Sequence, residues 1–199
     1  MKINGLYLIM TDPVVGYSKL AKIAVDSRVS AIQLRMKDAP KNKILDVAIK
    51  LRKITNQSST LFIVNDYLDI AISADADGIH LGQNDVSIRE ARSKWNNSDK
   101  IIGLSTHNLQ QAQQADEQGV DYIGIGPVFH TSSKINADPI LGIKYAKKIV
   151  GSCSCSSVVI GGITSYNLRQ IHEIGANGFC VLSAINSSNL PLIEIKKFQ

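Results

Sequence analysis

Eight short apolar runs, separated by longer segments of helical periodicity, constrain this chain more than any other feature. The runs occupy 6–10, 31–36, 61–66, 77–82, 101–105, 121–126, 158–163 and 178–183. Each has the length of a strand, and the alternation of such runs with helix-length segments reads as repeated βα units around a parallel sheet. Between 41 and 56, Ile44, Val47, Ala48, Leu51 and Ile54 fall on one helical face. Asn108, with Gln111 three residues later, opens a second helix that Gly119 can close. Asp138-Pro139 predicts a cap and a first-turn proline for a helix over 140–150, with Gly151 behind it. Thr164 is expected to cap the segment that ends at Gly175. Eight βα units in 199 residues match the short end of the (β/α)₈ TIM barrel range, so the fold expected is α/β, one barrel domain over 1–199. An open doubly wound sheet fits less well, because no G-x-G-x-x-G follows the first run.

Side-chain parity sharpens the barrel reading, since alternate strand residues face opposite ways. Ile32, Leu34 and Met36 pack outward, which sends Gln33, Arg35 and Lys37 inward or over the mouth. Likewise Ile79 and Leu81 go out while Gly78, His80 and Gly82 go in. Ile102 and Leu104 go out while Gly103 and Ser105 go in, and Ile123 and Ile125 go out while Tyr122, Gly124 and Gly126 go in. A barrel interior normally carries bulky branched residues. Inner glycines near the C-terminal mouth are therefore expected to leave room for a ligand.

Several classes of protein are excluded by composition. With 44% apolar and 20% charged residues the chain is not a disordered one. No apolar run approaches the roughly 18 residues of a membrane span, and the N-terminal stretch reads as a strand rather than a signal peptide, so a cytoplasmic location is expected. Of the three cysteines, Cys153 and Cys155 form a C-x-C pair without zinc spacing, and Cys180 sits in an apolar run. The net charge of +5 is scattered and not interleaved with aromatics, which argues for solvated faces rather than a nucleic-acid surface. The sequence leaves the oligomeric state open, a homo-oligomer included.

Polar residues gather where strands should end: Gln33, Arg35 and Lys37; Asn65 and Asp66; Gln83 and Asp85; Ser105 and His107; Thr131, Ser132, Ser133 and Lys134; Gly161 and Gly162; Ser183. In a barrel all of these meet at the face where active sites lie. Cations, carboxylates and hydroxyls together suit a phosphate bound with a hard divalent metal. Asp66 and Asp85 end neighbouring strands about 4.8 Å apart and can share one Mg²⁺, which takes one or two protein carboxylates beside phosphate oxygens and water. Each piece also has a plainer role. Arg35 can form a structural ion pair with Asp66, Asp66 can cap the segment 67–74, and His80 can be a satisfied core histidine. Thr131 to Ser133 can be turn residues, and the glycines at 161–162 a tight turn. Their coincidence at one face carries more weight than any single member.

The chain resembles the thiamine phosphate synthase family in QLRMK (33–37), ND (65–66), ADGIHLGQND (76–85), GLSTH (103–107), DYIGIGPVFHTSSK (121–134), VVIGGI (158–163) and VLSAI (181–185). The resemblance implies a Mg²⁺-dependent transferase of thiamine biosynthesis that joins hydroxymethylpyrimidine diphosphate to a thiazole phosphate, giving thiamine monophosphate and pyrophosphate. It implies that Gln33, Leu34, Arg35, Met36, Lys37, Asn65, Ser105 and Lys134 hold the pyrimidine diphosphate. Asp66 and Asp85 would hold Mg²⁺, and Thr131, Ser132, Ser133, Gly162, Leu182 and Ser183 the thiazole phosphate. Arg35, Lys37 and Lys134 would act in catalysis by offsetting charge on the departing diphosphate. Tyr7, Gln33 and His80 are candidates for the pyrimidine contacts. Two departures stand out. His130-Thr131-Ser132-Ser133-Lys134 stands where the family usually has P-T-x-T-K, and Tyr67 stands where an Arg commonly follows Asn-Asp.

Two rival readings share the fold. A thiazole tautomerase-like isomerase needs a general base and no metal. Such relatives tend to carry a histidine just after the sixth strand, where this chain has Pro127, and to lack the acidic residue that Asp85 supplies. A non-catalytic phosphate-ligand-binding barrel would bind without turnover, and the retained cations and carboxylates speak against it.

Overall fold

The computed structural model describes residues 3–131 and 138–199. Eight parallel strands close into a barrel in sequence order, β8 pairing back to β1. They are β1 (Gly5–Met10), β2 (Ala31–Leu34), β3 (Leu61–Asn65), β4 (Gly78–Leu81), β5 (Ile101–Thr106), β6 (Tyr122–Ile125), β7 (Ser156–Val159) and β8 (Gly178–Val181). The helices around them are α1 (Tyr17–Asp26), α2 (Lys41–Thr55), α3 (Leu68–Ser73), α4 (Ile88–Lys94), α5 (Leu109–Glu117), α6 (Gly142–Val150), α7 (Leu168–His172), α8 (Ser183–Asn186) and α9 (Pro191–Lys196). Among the described residues no helix is long and apolar enough to cross a membrane.

Parity divides the apolar residues into two cores. Ile32, Leu34, Ile79, Leu81, Ile102, Leu104, Ile123 and Ile125 join the helices in an outer layer. Tyr7, Ile9, Ala31, Leu61, Ile63, Ile101, Tyr122, Val158 and Cys180 fill the barrel itself. Acidic or amide residues just before alternate strands pin the lower rim. Asp77 accepts from the Phe62 amide (2.8 Å), Asp121 from the Ile102 amide (2.7 Å), and Asn177 from the Ser157 amide (2.9 Å). Arg52 holds Asp77 through both carboxylate oxygens (3.0 and 3.1 Å), and Arg92 pairs with Asp121. The bonds to Asp77, Asp121 and Asn177 each satisfy a main-chain donor at the barrel floor.

Several local expectations need correction. Helix α6 begins at Gly142, not at 140, and Asp138-Pro139 does not cap it. Gly142 has φ +72°, which a right-handed helix cannot propagate through. The residues before it are instead tied to the exit of β6, Leu141 donating to the Pro127 carbonyl (2.8 Å) and Gly142 to that of Val128 (3.2 Å). Helix α7 starts at Leu168, four residues beyond Thr164. The Thr164 amide donates to the Asn167 side chain (2.9 Å), so this threonine opens a turn rather than a helix. By contrast the Asn108 cap is as expected, its side chain accepting from the Gln111 amide at 2.8 Å. Cys153 and Cys155 pack beside the outer layer, and the Cys155 thiol is pushed up to about 12 by partial burial and by Asp116. Cys180 is buried in the barrel.

Candidate active site

A cavity of about 870 Å³ opens at the C-terminal mouth of the barrel. Its wall on the β2–β5 side is built from polar side chains. Gln33, Arg35 and Lys37 come from the end of β2, Asn65 and Asp66 from β3, His80 and Gly82 to Asp85 from β4, and Ser105 and His107 from β5. On the β6–β8 side the lining includes the glycines Gly124, Gly126, Gly161 and Gly162 beside Thr131, Asp138, Ile160, Thr164, Leu182 and Ser183.

Asp66 shows how the local fold serves the site. The α3 helix starts at Leu68 with Tyr67 at the cap position, and no side chain caps it, so Asp66 is not the cap. Asp66 instead has φ +63°, and its amide donates to the His80 carbonyl at 2.9 Å. Its carboxylate stands 3.5 Å from Lys37 Nζ. The ion pair to Asp66 is thus made by Lys37 rather than by Arg35. Burial, followed by the charge of Asp85 beside it, raises the Asp66 carboxyl above its ordinary range, with Lys37 opposing the shift. Asp85 is positioned by its own loop, one carboxylate oxygen accepting from the Gly82 amide at 2.6 Å.

Two carboxylates that face each other across adjacent strand ends repel unless a cation stands with them. The donor set therefore fits a hard divalent ion that takes its other ligands from phosphate and water. No cluster of three or more protein ligands exists among the described residues, and Mg²⁺ bound in that way needs none.

Below the cavity runs a buried polar line. Gln33 Nε2 donates to the Tyr7 hydroxyl (2.7 Å), which is 3.0 Å from the Tyr122 hydroxyl. Tyr122 in turn meets His80 Nδ1 at 2.9 Å, and His80 Nε2 meets Ser105 Oγ at 2.9 Å. Burial lowers the His80 pKa to about 4, so the ring is neutral and satisfied at both nitrogens.

On the opposite side the chain leaves β7 through two left-handed glycines, Gly161 (φ +106°) and Gly162 (φ +63°). A Cβ on Gly162 would collide with the His130 carbonyl and one on Gly161 with Pro127. Asn167 Nδ2 holds the Gly162 carbonyl at 2.9 Å. Asn186 holds the exit of β8, donating to the carbonyls of Ile9 and Leu182 (2.7 Å each). His107 spans the base of the β6–α6 loop, with Nδ1 at 2.8 Å from the Gly126 carbonyl and Nε2 at 3.4 Å from Asp138 Oδ2.

The expected site residues divide accordingly. Gln33, Arg35, Lys37, Asn65, Asp66, Asp85, Ser105, Thr131, Gly162, Leu182 and Ser183 line this one cavity. Leu34 and Met36 do not; their side chains are buried in the outer layer, so only their main chain is available to a ligand. Ser132, Ser133 and Lys134 lie outside the described residues. Tyr7 is fully buried in the barrel and does not line the cavity, which corrects its assignment to a pyrimidine contact. The inner glycines also need revision. The space over Gly103 is filled by the Tyr122 ring and that at Gly78 by Ile63 and Ile101, so these two admit core side chains rather than a ligand. Gly124 and Gly126 do line the cavity. Ile9, Ile160 and Gln111 were not anticipated. Parity with Tyr7 and Val158 would have placed the two isoleucines inward, and Gln111 sits there because its Oε1 accepts from the His107 amide (2.7 Å).

Comparison with known proteins fits this geometry. The thiamine-phosphate synthase of Clostridium botulinum strain Loch Maree is 40% identical over 93% of this chain and 92% of its own length. That of Shouchella clausii is 40% identical over 81% of this chain and 77% of its own. The thiamine-phosphate synthase of Prochlorococcus marinus is 42% identical, and the chain spans 51% of its length. Among solved structures, a thiamine phosphate pyrophosphorylase from Pyrococcus furiosus superposes with a TM-score of 0.90 at 31% identity, covering 99% of this chain and 94% of that one. A 3-hexulose-6-phosphate synthase shares the fold at 17% identity and a TM-score of 0.74. Residues 6–185 match the family model described as thiamine monophosphate synthase, and the chain belongs to that family.

Proposed function

We propose that the protein joins hydroxymethylpyrimidine diphosphate to a thiazole phosphate, releasing pyrophosphate and forming thiamine monophosphate. The observation that carries this reading is one cavity with two unlike walls. One wall holds Arg35, Lys37, Asp66 and Asp85, and the other includes a glycine turn at 161–162. Each wall suits a phosphorylated group, and the two groups would meet over Gln33, His80 and Ser105.

The reaction asks little acid–base chemistry of the protein. The bond between the pyrimidine-methyl carbon and the diphosphate oxygen breaks, its electron pair leaving with the diphosphate. The lone pair of the thiazole nitrogen then forms the new carbon–nitrogen bond. Arg35 and Lys37 offset the charge that grows on the leaving group, and a cation at Lys134 would add to them. Asp66 and Asp85 would hold Mg²⁺, which when bound supplies further charge neutralisation for diphosphate oxygens. Ile9 and Ile160 add apolar lining that helps keep water from the reactive carbon. No strong base is needed, in keeping with a neutral His80 bonded at both ring nitrogens. A cytoplasmic location goes with this reading.

Incubation with both substrates and Mg²⁺ should yield thiamine monophosphate and pyrophosphate in equal amounts. Isomerisation of a thiazole without use of the pyrimidine diphosphate, or tight binding of both without turnover, would refute the proposal.

A further inference from the structure

The buried line from Gln33 to Ser105 has a direction, and its donors can be assigned one after another. Gln33 Nε2 is a donor and is spent on the Tyr7 hydroxyl. Tyr7 is fully buried, so its own hydrogen needs an acceptor, and the Tyr122 hydroxyl is the one within reach. Tyr122, also buried, must then donate to His80 Nδ1. A reversed line would set the Tyr7 hydrogen against the amide hydrogens of Gln33, and a doubly protonated ring would leave the Tyr122 hydrogen without an acceptor. His80 therefore carries its hydrogen on Nε2 and donates it to Ser105 Oγ. The Ser105 hydroxyl is left to donate into the cavity, and Gln33 Oε1 is left as an acceptor there, since both residues line it.

We propose that Tyr122, which does not line the cavity, is a positioning residue that sets its hydrogen-bond polarity, holding His80 in one tautomer so that Ser105 faces the substrate as a donor. The placement is built into the barrel. Gly103 leaves the space that the Tyr122 ring fills, and the His80 ring stacks on Tyr122 with 5.5 Å between centroids while lying over Gly124. The ligand that complements this arrangement carries an N–H for Gln33 and an acceptor for Ser105, as an aminopyrimidine diphosphate does. The inference rests on the function proposed above for the identity of that ligand, but the tautomer of His80 does not.

The test is Tyr122→Phe, which removes one oxygen and keeps the ring. By analogy with the outer partners of ligating histidines, kcat/KM for the pyrimidine substrate should fall roughly 10–100-fold, while KM for the thiazole phosphate stays within about twofold. In a Ser105→Ala background the same change should cost less than about twofold more, because both act on one bond. Nitrogen-15 NMR of the imidazoles, with His80→Asn to identify the signal, should show Nε2–H in the wild type and in Tyr7→Phe, but a changed tautomer in Tyr122→Phe. An unchanged His80 tautomer in Tyr122→Phe, full additivity with Ser105→Ala, or an equal loss on both substrates would overturn the proposal. Lack of turnover by the wild type would sink the assigned reaction alone, because the NMR signal is read without substrate.

Discussion

The two sides of the cavity mouth bind by different means. From β2 to β5 the chain offers charged and amide side chains, with Lys37 3.5 Å from Asp66 and Asp85 folded onto the Gly82 amide. From β6 to β8 it offers fewer charged side chains and a turn tightened by the glycines Gly161 and Gly162, with Asn167 and Asn186 fastening the chain exits. For the proposed reaction this asymmetry has a reason. The diphosphate gains charge as its bond breaks, so counter-charges on that side are worth more in the transition state than in the ground state. The thiazole phosphate keeps its charge throughout, and a fixed cradle that binds it equally at every stage serves to hold and orient it. Side-chain variants on the first side should therefore lower kcat, and backbone variants on the second should raise KM.

The largest effect is expected from the carboxylates. Asp66→Asn or Asp85→Asn keeps the shape and removes one charge from the pair proposed to hold Mg²⁺. Metal-borne charge stabilisation is worth several kcal/mol, so kcat should fall about 10²–10³-fold and the Mg²⁺ requirement should rise. KM for the thiazole phosphate should stay as it was. Near-normal rates in both variants at limiting Mg²⁺ would remove the metal assignment and with it half of the contrast.

Gly162→Ala probes the other side. Its φ of +63° disfavours any side chain, and the added Cβ would meet the His130 carbonyl, so the turn must move. A strained residue of this kind costs about 1–3 kcal/mol. We expect a lower urea midpoint and a thiazole phosphate KM raised roughly tenfold, the equivalent of about 1.4 kcal/mol, with kcat at saturation little changed. A fall in kcat with KM intact would show that the cradle also acts in the transition state.

Much of this was legible in the residues and some was not, for physical reasons. All eight strands followed from the apolar runs, and parity gave the facing of four of them, because a two-residue period is a property of the chain itself. The helix starts at α6 and α7 failed, since Asp138 and Thr164 look like caps but are committed to contacts with distant or turn residues. Inner glycines were recognised as making space. Whether a ligand or a neighbouring ring takes that space depends on the register, which sets Gly103 opposite Tyr122. Tyr7 stood as a candidate pyrimidine contact, but its depth in the barrel depends on packing that the residues alone do not give. Asp66 had several readings, and its positive φ with the late start of α3 excludes the cap. Leu34 and Met36 entered only through the family motif, against their own outward parity, and the structure follows parity.

His107 should show the smallest effect, and it tests whether the residue that reaches from the end of β5 to the β6–α6 loop takes any part in proton transfer. The Gly126 carbonyl can only accept, so His107 Nδ1 carries a hydrogen toward it, and Nε2 faces Asp138 at 3.4 Å. The ring thereby stands between both ends of the loop between β6 and α6. Asparagine can replace the bond to Gly126 but is too short to fill the space up to Asp138. A partly exposed contact of this sort contributes about 0–1 kcal/mol. His107→Asn should accordingly raise the thiazole phosphate KM by no more than about fivefold, since 1.4 kcal/mol is needed for tenfold, and leave the single-turnover rate within about twofold. A general acid or base would instead cost roughly 10²–10⁴-fold in that rate. Such a loss would give the site a general acid or base and would favour an isomerase-like reaction over the joining of two substrates.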